Sequence, residues 1–185
     1  MLKALLPHIA VATCCGVGSV AAQAHVDIAR SSVTATLTQM NVPVDGRFRR
    51  FDANIAFDPA HPEAAAASID VNTASYDLGD DSFNSEARNK EWFESAVYPR
   101  ATFRSTSVKG AGKNAVDVAG QLTVKGAMVN VVVRVTFSHQ GNDEVFDGTL
   151  PIRRSQFKLG TGEWADSSVV SDTVKVQFHI VNTSQ

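Results

Sequence analysis

The chain has 185 residues, 44% of them hydrophobic, and a formal net charge of −2. That is enough apolar material for one domain with a real core, and the near-balanced charge excludes the basic footprint of a nucleic-acid-binding protein. The only cysteines, Cys14 and Cys15, precede every patterned segment, which excludes thiol catalysis or a cysteine metal site downstream.

Met1-Leu2-Lys3 opens the chain with a positive charge, and the stretch from Ala4 to Val20 is apolar and small. Ala22-Gln23-Ala24 then fits the small-x-small pattern of signal-peptide cleavage, so residues 1–24 read as an export signal and His25 as the new N-terminus. Val11-Ala12-Thr13-Cys14 is a poor match to a lipoprotein site because threonine precedes the cysteine. Removing those 24 residues leaves 161, with 16 basic and 19 acidic side chains and a net charge of −3. Residues 25–185 read as one exported domain, expected in the periplasm.

Eight runs of period-two alternation follow, each the mark of a strand with one apolar face. They are Val33-Ala35-Leu37; Phe51-Ala53-Ile55-Phe57; Ile69-Val71; Ala101-Phe103-Ser105; Val116-Val118-Gly120-Leu122-Val124; Val129 to Phe137; Phe146-Gly148-Leu150-Ile152; and Val174-Val176-Phe178-Ile180. Phe48 has the opposite parity to Phe51, which predicts a bulge near Arg49-Arg50. Turns are predicted at Val44-Asp45-Gly46, Asp58-Pro59, Gly110-Ala111-Gly112, Lys125-Gly126 and Gln140-Gly141-Asn142. The stretch from Asp80 to Val97 lacks alternation and predicts a helical insertion ended by Pro99, with Trp92 facing Ala96 and Phe93 facing Val97. Leu159 to Asp172 reads as a long loop. The expected fold is all-β, an eight-stranded antiparallel barrel with a short helical insertion; a sandwich is the competing architecture.

No catalytic constellation emerges. His25, His61, His139 and His179 lack ligand spacing, and Asp80-Asp81 with Glu86 reads as helix N-terminal charge rather than an acid–base cluster. No phosphate loop or nucleophile elbow is present. We therefore expect no enzyme, no cofactor and no metal. The inward parities either fill a solid core or line a greasy tunnel, and small residues such as Ala35, Ala53, Ala101 and Gly120 leave room for the second. The leading wall candidates are Leu37, Phe51, Ile55, Phe103, Leu122, Val131, Val133, Phe146 and Phe178, with Trp92 and Phe93 guarding one end. Arg104 and Arg134 have outward parity and serve a head group only if they lie near a rim.

Ordered motifs from Ala29 to Ile180 resemble the YceI-like family of periplasmic polyisoprenoid-binding proteins. They are Ser31-Ser32-Val33; Asp45-Gly46-Arg47-Phe48 with Phe51; Ile55-Ala56-Phe57-Asp58-Pro59; Trp92-Phe93-Glu94 with Tyr98-Pro99 and Thr102-Phe103; Gly120-Gln121-Leu122-Thr123-Val124-Lys125-Gly126; and Arg154-Ser155-Gln156-Phe157 with Leu159-Gly160. The resemblance implies a lipocalin-like barrel around an isoprenoid lipid, either an isoprenoid quinone or a polyprenyl phosphate. It also implies a link to a membrane redox protein such as a b561-type cytochrome. Glu86-Ala87-Arg88 and Trp92 depart from the family's usual His-Leu-Arg and Phe, so the insertion is expected to cap the tunnel differently. Two other readings remain beside a lipid carrier: a solid-cored interaction module, and an enzyme acting on lipid inside the barrel.

Overall fold

The computed structural model describes residues 25–183; the export signal assigned to residues 1–24 lies outside them. Eleven strands form one antiparallel sheet. They are β1 (His25–Val26), β2 (Ser32–Gln39), β3 (Val42–Phe48), β4 (Phe51–Ala56), β5 (Ala66–Asn72), β6 (Tyr76–Asp77), β7 (Arg100–Gly110), β8 (Ala115–Val124), β9 (Ala127–Gln140), β10 (Asp143–Arg153) and β11 (Thr173–Thr183). The single helix, α1 (Asp81–Arg88), lies between β6 and β7. The spatial order is β4-β5-β7-β8-β9-β10-β11-β2-β3-β6, with β1 added to the end of β11. The sheet curls until β4 approaches β1, but no ladder joins β4 to the strands across that seam. The result is a lipocalin-like barrel with one unzipped seam. Among the described residues, no helix is long and apolar enough to cross a membrane.

All eight alternating runs are strands, because each has an apolar face to bury and a polar face to wet. The long strand β3 was not foreseen. The segment Val44-Asp45-Gly46 is not a turn but lies within β3, where Asp45 pairs with Thr36 and Gly46 with Ala35. The reversal comes earlier, at Met40 (φ 49°) and Asn41 (φ 64°), a two-residue hairpin turn with both residues left-handed. Gly46 answers a different need. A Cβ there would lie 2.2 Å from the Tyr76 ring, so the glycine lets that ring lie flat on the sheet. Phe48 and Phe51 are both buried on either side of a bend at Arg49–Arg50 that separates β3 from β4, in place of a bulge within one strand. The bulge in the sheet is on β7, between Ser105 and Ser107.

The helix is shorter than the sequence suggested. Asp80 starts it by accepting from the Ser82 and Phe83 amides (2.8 and 3.2 Å), and it ends at Arg88. Trp92 and Phe93 lie beyond it in tight turns, held by bonds such as Phe93 N–H to the Ala87 carbonyl (3.0 Å). These turns, α1 and the β10–β11 connection gather where β7, β9 and β11 begin. We call this the cap end.

Candidate functional site: an apolar barrel interior

The inward faces enclose a cavity of about 170 Å³. Every side chain on its wall is apolar except that of Thr102. An apolar cavity of roughly 150 Å³ stays dry and takes up a molecule such as benzene. Val116 and Val124, at opposite ends of the inward row of β8, both line this one, so it follows about 26 Å of strand at 3.3 Å per residue. A small volume spread over that length makes a thin bore, a shape that suits a linear apolar chain better than a compact ring system.

Glycines set the width of the bore. Added Cβ atoms at Gly120 and Gly148 would lie 2.5 Å from the Phe103 ring and 2.2 Å from the Phe178 ring. The rings therefore lie against the sheet instead of standing across the lumen. Gly120 does not leave the empty space expected of it; it provides the seat for Phe103.

Of the eleven residues assigned to ligand binding, the structure places Ile55, Phe93, Phe103, Leu122, Val133, Phe146 and Phe178 on the cavity wall. Four lie off it. Leu37 pairs with Val44 near the tip of the β2–β3 hairpin. Phe51 is buried at the bend, opposite Val71. Val131 pairs with Gly120, where the Phe103 ring covers the wall. Trp92 belongs to the cap, its ring 6.0 Å from Trp164. Phe48, Phe57, Val118, Leu150 and Val176, outside the leading candidates, also line the cavity. All but Phe48 carried the same inward parity, so the signal was available.

The cap is organised by Arg154. Its side chain is 3% exposed, yet no carboxylate bonds it among the described residues. Instead its nitrogens donate to five backbone carbonyls: Ser171 (3.1 Å), Leu159 (3.0 Å), Gly160 (2.7 Å), Trp164 (2.7 Å) and Val170 (2.8 Å). Five N–H donors thus meet five acceptors. The guanidinium also lies 5.8 Å from the centre of the Trp92 ring. Burial pushes its pKa down from the usual arginine value, with Asp172 pulling the other way. Gly160, at φ 67°, is required because a Cβ would strike the guanidinium 2.2 Å away. Trp164 Nε1 donates to Glu86 (3.0 Å), which ties the loop to α1. Lys125 donates to the Lys90 and Lys158 carbonyls, and burial lowers its pKa.

Polar residues outside the cap have other work. Arg104 pairs with Asp70 (2.7 Å) and Arg134 with Asp117 (2.8 Å) on the outer face, so neither is free for a head group. His179 meets Asp147 at 2.7 Å, also outside. Ser31, 1% exposed, accepts from the Val181 amide (2.9 Å) and fastens the start of the domain to β11. Among the described residues, no group of three or more His, Cys, Asp or Glu side chains could hold a metal ion.

A curled antiparallel sheet, a cap over one end and an apolar bore define a lipocalin-like protein. Comparison with known proteins then places it more narrowly. The YceI-like domain model matches residues 25–182. A UPF0312 protein of Ectopseudomonas mendocina is 32% identical over 146 residues, 76% of this chain and 74% of its own length. The crystal structure of Burkholderia cenocepacia BcnA is similar with a TM-score of 0.83 and 46% identity, over 84% of this chain and 98% of that one. A polyisoprenoid-binding domain from Saccharophagus degradans, implicated in plant cell wall breakdown, shares the fold with a TM-score of 0.73 at 20% identity, over 89% of this chain and all of its own. The chain belongs to the YceI-like family.

Proposed function

We propose that this protein is a periplasmic carrier that holds the tail of an isoprenoid lipid, a quinone or a polyprenyl phosphate, in its barrel interior without acting on it chemically. The thin apolar bore carries this reading. Each 100 Å² of lipid surface hidden from water contributes about 2.5 kcal/mol, so a featureless tunnel suffices for affinity. The polyisoprenoid-binding domain of S. degradans, which has the same fold, supports the choice of tail. The short signal-like N-terminal sequence supports export. The test is titration of delipidated protein with ubiquinone and with polyprenyl phosphate. Phe103→Asp puts a charge on the wall, and Leu122→Trp fills the bore without polarity. Both variants, checked for folding by circular dichroism, should lose binding that the parent retains. Undiminished binding in both folded variants would contradict the reading.

The cap end favours a second role beside the first. Met40, Val42, Phe83, Val97 and Met128 are at least 59% exposed and lie on elements or turns at that end. Such residues suit contact with a partner, of which a membrane redox protein is the one the family resemblance suggests. Met40→Ser with Val42→Ser should weaken pull-down of a b561-type cytochrome and leave lipid titration unchanged.

A further inference from the structure

The far half of the β4–β5 hairpin, residues 55–67, is part of the cavity wall but barely part of the sheet. Ile55, Ala56, Phe57, Ala65, Ala66 and Ala67 all line the interior. On one side of this tip the β5–β7 ladder stops at Ser68 opposite Arg104. Just beyond, β7 carries an irregularity between Ser105 and Ser107 in its pairing with β8. The Ala67 amide, which a continued ladder would bond to main chain, reaches the Ser105 hydroxyl instead (2.9 Å). On the other side β4 borders the unzipped seam, and the Asn182 side chain donates to the Ile55 carbonyl over 3.4 Å. Apart from the last rung of the β5–β7 ladder, these two side-chain bonds tie the tip to the rest of the barrel.

The remaining bonds of the tip are its own. Ala56 pairs with Ala66 across the hairpin, and the His61, Ala64 and Ala65 amides bond to Asp58, His61 and Pro62. The unit can therefore swing without losing its internal bonds. Its apolar latch is Phe57, whose ring packs 4.8 Å from Phe137 and 5.3 Å from Phe146. Asn182 is 2% exposed, and its Oδ1 has no partner. A buried acceptor left without a donor is costly, so this side chain's hold on the seam is incomplete.

We propose that residues 55–67 form a flap, hinged near Ser68, through which an apolar ligand enters and leaves the interior. This rests on the reading of the interior as a ligand site. Opening breaks the two side-chain bonds and the last rung of the β5–β7 ladder, lifts one phenylalanine and parts Pro62–Ala64 from β7, whereas opening elsewhere on the circuit of the sheet severs a whole ladder. The alanines of the flap present small apolar side chains to a passing chain.

The test locks the flap. Extending the β5–β7 register places Ala67 opposite Ser105, a separation that suits a disulfide. Ala67→Cys with Ser105→Cys, made with Cys14 and Cys15 replaced by serine, should cross-link on oxidation. Stopped-flow uptake and release of the apolar fluorophore phenylnaphthylamine should each slow by roughly tenfold or more in the oxidised form. Reductant should restore both rates. Phe57→Ala, which removes the latch, should speed both rates. Equal rates in the oxidised and reduced forms, with Phe57→Ala also unchanged, would overturn the flap and leave the apolar site standing. A fluorophore that binds none of these proteins, the parent included, would overturn the site and the flap together.

Discussion

The wall of the barrel and the cap at its end are both well buried, but they are held by different means. The wall is nearly all aliphatic and aromatic, and its one recurrent device is a glycine under an aromatic ring, as at Gly120 with Phe103 and Gly148 with Phe178. The cap depends on one buried cation whose donors collect carbonyls from Leu159, Gly160, Trp164, Val170 and Ser171. A wall of this kind tolerates changes of shape, because dispersion and hydrophobic contacts are many and non-directional. A cap of this kind does not, because each carbonyl left without a donor in a buried site costs about 1–3 kcal/mol. The difference suits a carrier, with a wall that can adapt to a sliding chain and a cap that keeps its shape.

The comparison is broken most severely at Arg154. Arg154→Met should cost about 3–5 kcal/mol, as for other uncompensated losses inside a buried polar network. Arg154→Lys should recover only part of it, since three donors replace five. Urea denaturation measures both; a loss under about 1 kcal/mol would mean the cap is not organised by this residue. Next comes Gly148→Ala on the wall. The new Cβ meets the Phe178 ring at 2.2 Å, and overpacking of that kind costs about 1–3 kcal/mol. In the Phe178→Ala background the same change should be close to neutral, and a double-mutant cycle reads the coupling. Additive effects would show that the glycine is not there to seat the ring.

Acid should separate the two regions. Beside the cap, Asp77 accepts from the Gly79 amide, the Asn84 side chain and Arg49, and these bonds lower its pKa to about 2. The folded value lies below the unfolded one, about 3.9. The ionised form thus stabilises the fold above that value, and its contribution fades as pH falls from about 4 towards 2. Hydrogen exchange at Leu78 to Arg88 should accelerate over that window before exchange in β11 does, while Asp77→Asn should flatten the difference. The smallest effect belongs to the wall. Val133→Ile adds one methylene that faces the cavity and should change stability by less than about 1.5 kcal/mol, the size of a single Ile–Val difference.

The wall was largely legible in the sequence and the cap was not. Period-two parity is local, so Ile55, Phe103, Leu122 and Phe178 could be aimed inward without knowing their neighbours. Strand β3 was lost because glycine has two uses. Asp45-Gly46 looks like a turn, yet Gly46 serves a close approach by Tyr76, while the real turn at Met40-Asn41 contains no glycine. The spacing of Trp92 and Phe93 reads as helical because consecutive turns satisfy the same spacing. The role of Arg154 was invisible in the pattern because its acceptors are backbone carbonyls of the following connection, which side-chain identity does not announce. The loosely held hairpin tip was equally hidden, since where the β5–β7 ladder stops is not announced by the parity of either strand.

The central claim is that the interior holds a lipid tail. Native mass spectrometry of the protein purified from a bacterial periplasm without detergent, with organic extraction of the same sample, tests it most directly. A stoichiometric adduct that extracts as a long-chain isoprenoid is the predicted result. A clean apo mass that persists after incubation with ubiquinone and with polyprenyl phosphate would contradict it.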